Sequence, residues 1–239
     1  MRKLCYGWHA NGGTTVINAV TESLAGRYTE EQKSRSPEDN SFAGILSDKQ
    51  NTHLTAREYL ATLSAQELRI LQQEHRLADA INISELSNEG AENLFVAWGD
   101  KRHYQDLNND GIVEIGKGKT FIFPPPNAPT AVKDAWDKTV ANMTFSERIK
   151  AEGIFLAVQL TANIQEMPDG SYRVYSPGDA AYRNAFGNSL DFYFGMLRNL
   201  QKQLEKDLRT LGASETNNIS FRLGVVGEFI DNLQQATIR

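Results

Sequence analysis

The stretch LDFYFGMLRNLQKQLEKDLRTL, residues 190–211, decides the fold. Its residues Leu190, Tyr193, Leu197, Leu200, Leu204, Leu208 and Leu211 recur at intervals of three and four, which on a helix puts them in one stripe. A stripe of that length is the seam that one helix offers another. A long C-terminal helix packed on other helices is therefore expected, with Gly212 ending it. Farther on, Val225, Phe229, Ile230 and Leu233 predict a final amphipathic helix, whereas Ile219, Phe221 and Leu223 before it alternate as a strand would.

Upstream of the seam the sequence carries local start and stop signals. Thr55 with Glu58, Ser64 with Glu67 and Thr144 with Glu147 have the spacing by which a hydroxyl and an acid cap each other's amides at a helix start. Another helix is expected from Ser87, packing Leu94 and Phe95. Val132, Trp136 and Val140 recur every fourth residue, and the helix after Thr144 is expected to turn Ile149, Leu156 and Leu160 inward. The helical pattern before the seam is expected to begin near Asp179. Strand-like runs flank Gly116-Lys117-Gly118 and Pro168-Asp169-Gly170, so Ile112–Ile115 with Lys119–Phe123, and Ile164–Met167 with Tyr172–Tyr175, predict two hairpins. Pro124-Pro125-Pro126 has no donors to extend a ladder. The fold class is thus α+β and mainly helical: a helix bundle with one or two small β-hairpins and a long C-terminal helix. No internal repeat suggests a solenoid.

At 239 residues the chain can bury a core without disulfide staples. Val16, Ile17, Val20 and Leu24 fit a short helix, and Arg27 to Ser41 is polar, of mixed charge and contains Pro37. Residues 1–41 are read as a flexible N-terminal segment and linker, and 42–239 as a single helix-rich globular domain. A net charge of -5 with no dense Lys/Arg tract argues against nucleic acid as a partner. No stretch has the length of a membrane span, and Leu4 to Trp8 is too short for a signal-peptide core. As written the chain reads as soluble and cytoplasmic, with secretion open if a leader was removed. The single cysteine, Cys5, makes no internal disulfide and decides nothing about compartment.

Chemistry concentrates in Asp106-Leu107-Asn108-Asn109-Asp110-Gly111-Ile112-Val113-Glu114. Oxygen-bearing side chains stand at alternate positions before a glycine that permits a sharp bend, the spacing by which a short loop wraps a hard cation. Asp106, Asn108 and Asp110 are the candidate side-chain ligands, Ile112 offers its carbonyl, and Glu114 reaches the ion directly or through water. The segment resembles the DxDxDG loops of EF-hands, dockerin modules and FG-GAP repeats, over these nine residues alone. That resemblance implies a calcium ion. It departs from the EF-hand at the twelfth position, where a bidentate acid is needed and Lys117 stands. Glu114 at the ninth position, followed by a strand, suits the FG-GAP variant. The bland reading is an Asn/Asp/Gly turn that satisfies its own backbone. Against that reading, three acids in nine residues repel one another unless a cation is present.

Other constellations carry less. Gly116-Lys117-Gly118-Lys119-Thr120 looks like the end of a phosphate-binding loop, but Val113 stands where glycine is needed and no helix follows. His9, His53, His75 and His103 have no paired ligand spacing. His75 reads as a half-buried packing residue, and His103 as at most a support for the acidic loop. Asp134 with Asp137 and Glu147 with Glu152 fall on faces expected to be solvated. Tyr182, Phe186, Phe192, Tyr193 and Phe194 exceed what one helix face buries, so Phe192 or Phe194 outside the seam would form an apolar patch suited to a partner or to self-association. No catalytic motif is recognisable. The function expected first is a calcium-stabilised protein-protein interaction or structural protein. The alternative is a hydrolase-like enzyme whose site is assembled from distant residues with calcium nearby.

Overall fold

The computed structural model describes residues 40–210 and 213–237. The expected helix through Val16 and Leu24, Cys5, most of the polar run from Arg27, and Leu211 with Gly212 lie outside the described residues. Among the described residues there are eight α-helices and two antiparallel two-stranded hairpins. In chain order these are α1 (Asn40–Gln50), α2 (Ala56–Leu60), α3 (Ala65–Glu74), α4 (Asn88–Glu92), β1 (Val113–Ile115), β2 (Gly118–Thr120), α5 (Thr130–Val140), α6 (Phe145–Ala162), β3 (Ile164–Glu166), β4 (Tyr172–Val174), α7 (Leu190–Thr210) and α8 (Ala213–Thr237). Single 3-10 turns cover Ile83–Glu85 and Asn93–Phe95. The protein is α+β and mainly helical, as its periodicities require. No described helix is long and apolar enough to cross a membrane.

Helix starts follow the local chemistry closely. The Thr55, Ser64 and Thr144 hydroxyls each accept the amide three residues on, and Glu58, Glu67 and Glu147 each return to the capping residue's amide. These reciprocal bonds hold the three carboxyls below their ordinary pKa. Ser87 caps α4 by accepting from the Gly90 amide at 2.8 Å.

Buried side chains sort into two clusters. The first runs from Phe42 to Ile122 and gathers Leu60, Leu71, Leu94, Val113 and Ile115 from α1 to β1. The second runs from Phe123 to Leu233 and packs α5 to α8. In the second, Tyr193, Leu197 and Leu204 of the seam are buried, with Leu190, Leu200 and Leu208 packed at its margin. Its centre is Phe123, whose ring stacks on Phe155 at 3.7 Å and meets the Trp136, Phe186 and Phe229 rings at 5.0 to 6.0 Å. Neighbours Ile122 and Phe123 thus serve different clusters.

Three local expectations are corrected. Helix α6 buries Ala151, Ile154, Phe155 and Ala157, while Leu160 is exposed. The aromatic ring of Phe155, drawn to Phe123, sets the helix's rotation. Ile219 to Leu223 belong to α8, where Ile219, Val226, Phe229 and Leu233 form one helical stripe. Residues 179–189 are irregular, and the seam helix begins only at Leu190. There the backbone is held by side chains instead. Gln159 donates to the Arg183 carbonyl and accepts from the Ala185 amide, and Asn163 both donates to and accepts from Arg183.

His75 is buried rather than half-buried. Its Nε2 lies 2.9 Å from the Leu94 carbonyl, so that nitrogen carries the proton, while Nδ1 has no partner. Burial pushes its pKa below the ordinary 6.5, because the charged ring would be poorly solvated. A histidine held neutral contributes most above its unfolded pKa, and that contribution is lost as pH falls from 6.5 towards the depressed folded value. Urea unfolding of the parent and of His75→Leu should therefore show the parent losing ground below about pH 6.5, by at most about 1.4 kcal/mol per pH unit. Parallel pH profiles would contradict the assignment.

Candidate metal centre

The ion-loop segment lies between the two clusters, and α4 shapes it. Leu86, Glu89, Asn93 and Leu94 share the inward side of the α4 region, so two polar residues spaced by four are buried there. Glu89 accepts the Leu107 amide at 2.8 Å with one oxygen and the Glu114 amide at 2.7 Å with the other. Asn93 accepts the Gln105 amide and donates to the Gln105 and Glu114 carbonyls, each at 2.8 Å. Together they grip both limbs of the loop. Gly90 lies so close to this turn that a Cβ there would stand 2.1 Å from the Gly116 carbonyl oxygen.

Within the loop, Asp106, Asn108 and Asp110 come together. Asp106 accepts from the Asp110 amide at 3.1 Å and the Gly111 amide at 2.9 Å. Asn108 accepts the Asp110 amide at 2.9 Å, and its own amide donates to Asp110 Oδ2 at 3.1 Å. Asp110 Oδ1 accepts the Ile112 amide at 2.8 Å. Asn109 and Gly111 have positive φ, of 55° and 82°, and a Cβ at Gly111 would meet Asn184 Oδ1 at 2.7 Å. The second half of the chain reaches in through two amides. Asn127 donates to the Asp106 carbonyl at 2.8 Å, and Asn184 to the Asn109 carbonyl at 3.0 Å.

Asp106 is only 3% exposed. Burial raises its pKa, the Gly111 amide opposes that rise, and the charge of Asp110 adds to it. Glu89 is raised too, by burial and by Asp106, against the pull of the amides it accepts. A bound cation would favour the ionised form of both. Each carboxylate oxygen has two lone pairs, so one that accepts an amide retains another for an ion. The hard oxygen donors of Asp106, Asn108 and Asp110, with the Ile112 carbonyl in the same turn, therefore suit calcium.

Glu114 is placed differently from those three. Its carboxylate takes the Ser87 hydroxyl at 2.5 Å and lies 3.4 Å from Lys119 Nζ. Among the described residues no group of three or more His, Cys, Asp or Glu side chains is gathered as a metal-holding cluster. Glu89 is the participant that the DxDxDG spacing does not reveal. The readable signal was an acid and an amide four apart on a stripe otherwise made of Leu86 and Leu94.

The remaining candidates resolve into structural contacts. His103 bonds Asp100 at 2.7 Å and does not brace the loop. Lys117, in the turn that looked like a phosphate loop, pairs with Glu85. Asp134 and Asp137 both pair with Arg102, and Glu152 pairs with Lys101. Phe192 is 38% exposed and lies against Gly187, whereas Phe194 packs at the margin of the second cluster. Compared with family models, curated proteins and solved structures, the chain matches none.

Proposed function

We propose that this is a calcium-stabilised protein that acts through protein contact. The observation that carries the reading is the position of the 106–114 loop: Glu89 and Asn93 hold it from one half, Asn127 and Asn184 from the other. An ion held by Asp106, Asn108, Asp110 and the Ile112 carbonyl would neutralise a desolvated acid pair at that junction. Glu114 would join through water or on leaving Lys119. The ion's role here is to staple two packed clusters.

Protein contact is supported by the β3–β4 hairpin. The pairing of Ile164 with Val174 and of Glu166 with Tyr172 puts these four on one face, and Val174 and Tyr172 are 62% and 67% exposed. Leu160, near the end of α6 and four residues before Ile164, is exposed as well. A face on which Ile164, Tyr172 and Val174 stand exposed with the single acid Glu166 is what a partner protein or a second copy covers. The hydrolase-like alternative draws less support, since the acids Glu152, Asp134 and Asp137 are already paired with Lys101 and Arg102.

Thermal unfolding with and without calcium tests the ion. A ligand that binds only the folded state at one hundred times its Kd stabilises by about 2.7 kcal/mol. Calcium should raise the parent's Tm and leave Asp106→Ala and Asp110→Ala unmoved. The parent's shift should shrink as pH falls through the raised range of Asp106, because protons and the cation compete for one carboxylate. Equal calcium shifts in parent and variants would defeat the proposal.

A further inference from the structure

Hairpin β3–β4 is exposed at every one of its strand residues. A two-stranded hairpin of that kind is marginal in water by itself and gains stability when a helix packs on it. Its two faces differ. On one, Tyr175 donates its hydroxyl to Gln165 at 2.6 Å, and the Arg173 guanidinium lies over the Tyr175 ring at 5.3 Å. On the other stand Ile164, Tyr172 and Val174 with Glu166. Of the seven large hydrophobic side chains exposed among the described residues, four are Leu160, Ile164, Tyr172 and Val174, so the apolar surface that calls for a cover is concentrated here.

The sequence outside the described residues carries a stripe of matching character. Val16, Ile17, Val20 and Leu24 fall within about 100° of one another around a helix, with Asn18 and Glu22 on the opposite side. A helix as short as residues 14–25 is marginal in water unless its apolar side is packed. Residues 26–39 link that stripe to the start of α1, and these fourteen residues span up to about 46–50 Å when extended. A compact domain of about 200 residues has a radius of gyration of about 16 Å, so the link outreaches its width. Size decides against a second copy. A stable interface between separate molecules uses about 20–30 residues a side, far more than this face offers. An attached segment needs much less, because its link presents it at an effective concentration on the order of millimolar.

We propose that residues 14–25 form a helix that covers the apolar face of the β3–β4 hairpin in the same chain, so that a partner protein must displace it. The stripe of Val16, Ile17, Val20 and Leu24 meets Ile164, Tyr172 and Val174, while Asn18 and Glu22 face water. Helix and hairpin, each marginal alone, complete one another. The covered face is the one read above as a protein-contact surface, and the contact rests on that reading. A partner's apparent affinity is then reduced by the fraction of chains in which the face is open.

A nitroxide on Glu22→Cys, in the full chain with Cys5→Ser so that the label has one site, tests the contact by NMR. The amides of residues 164–174 should lose most of their intensity while the label is paramagnetic and regain it when the label is reduced. In a mixture of isotope-labelled chains without nitroxide and unlabelled chains with it, those amides should keep their intensity, because the contact lies within one molecule. Val20→Asp, and separately Tyr172→Asp, should each abolish the broadening. Tyr172 is 67% exposed, so its replacement leaves both cores untouched. Undiminished amides at 164–174 in the first sample would overturn the proposal. So would equal broadening in the mixture, which would make a second copy the occupant, or broadening that survives both substitutions. The mixture needs neither substitution and decides the matter even if one of them unfolds the chain. Calcium melting reads the ion loop alone, and an uncovered hairpin would still be open to a separate partner, so failure here is distinct from failure of the protein-contact reading.

Discussion

Phe123→Ala is expected to cost about 3–5 kcal/mol of folding free energy, the range for removing a buried aromatic from a core that cannot collapse around the hole. The ring is 1% exposed and lies parallel to Phe155, with an interplanar angle of 2°. Trp136 and Phe229 meet it edge-on, at 88° each. Rings that meet edge to face gain beyond the area they bury. Four neighbours from α5, α6, α8 and the 179–189 segment lose their common contact at once. Denaturant unfolding should show a lower midpoint with an unchanged slope. A loss under about 1 kcal/mol would mean the surrounding rings repack freely, and Phe123 would not be the centre of the second cluster.

Glu89→Ala is expected to cost about 1–3 kcal/mol, from two half-buried amide donors that lose their acceptor and only partly regain one from water. The donors belong to Leu107 and Glu114, one on each limb of the acidic loop. Glu89→Gln should cost less. It retains one oxygen acceptor and removes a carboxylate whose charged form burial disfavours. Amide hydrogen exchange reads the two positions directly: both should be protected in the parent and exchange faster in the alanine variant. If either amide stays fully protected in Glu89→Ala, another group holds that limb and the gripping role of Glu89 is wrong.

Local chemistry carried much of the fold into the sequence. The caps at Thr55, Ser64 and Thr144 were legible because every partner lies within three residues. The seam of α7 was legible because its period persists for twenty-one residues, and both hairpins because glycine marks their turns. What escaped depends on contacts distant in sequence. The side of α6 that faces inward is chosen by Phe123, and the alternation of Ile219, Phe221 and Leu223 yields to a helix because α7 and α5 offer it an apolar surface.

The site was legible to the same limit. Asp106, Asn108 and Asp110 meet as their alternation around Gly111 implies, since a tight turn gathers its own side chains. Glu114, one strand residue onward, is claimed by Ser87 and Lys119. Glu89 and Asn93 act on the loop from elsewhere in the chain, as Gln159 and Asn163 act on the 183–185 backbone. In both cases two polar residues four apart on a buried helical side replace the missing ladder bonds of an irregular segment. Reading such a pair as a clamp, and not as a break in an apolar stripe, is what the sequence would have required.

Ile122 and Phe123 are joined by a single peptide bond yet are anchored in separate interiors. That makes the 121–124 stretch a shared rivet. Inserting one residue between Ile122 and Phe123 would separate two anchors that now sit on adjacent residues, so at least one of them would have to leave its interior. Neither interior can slip along the chain without dragging the other, so the two are locked in phase by one pair of adjacent residues.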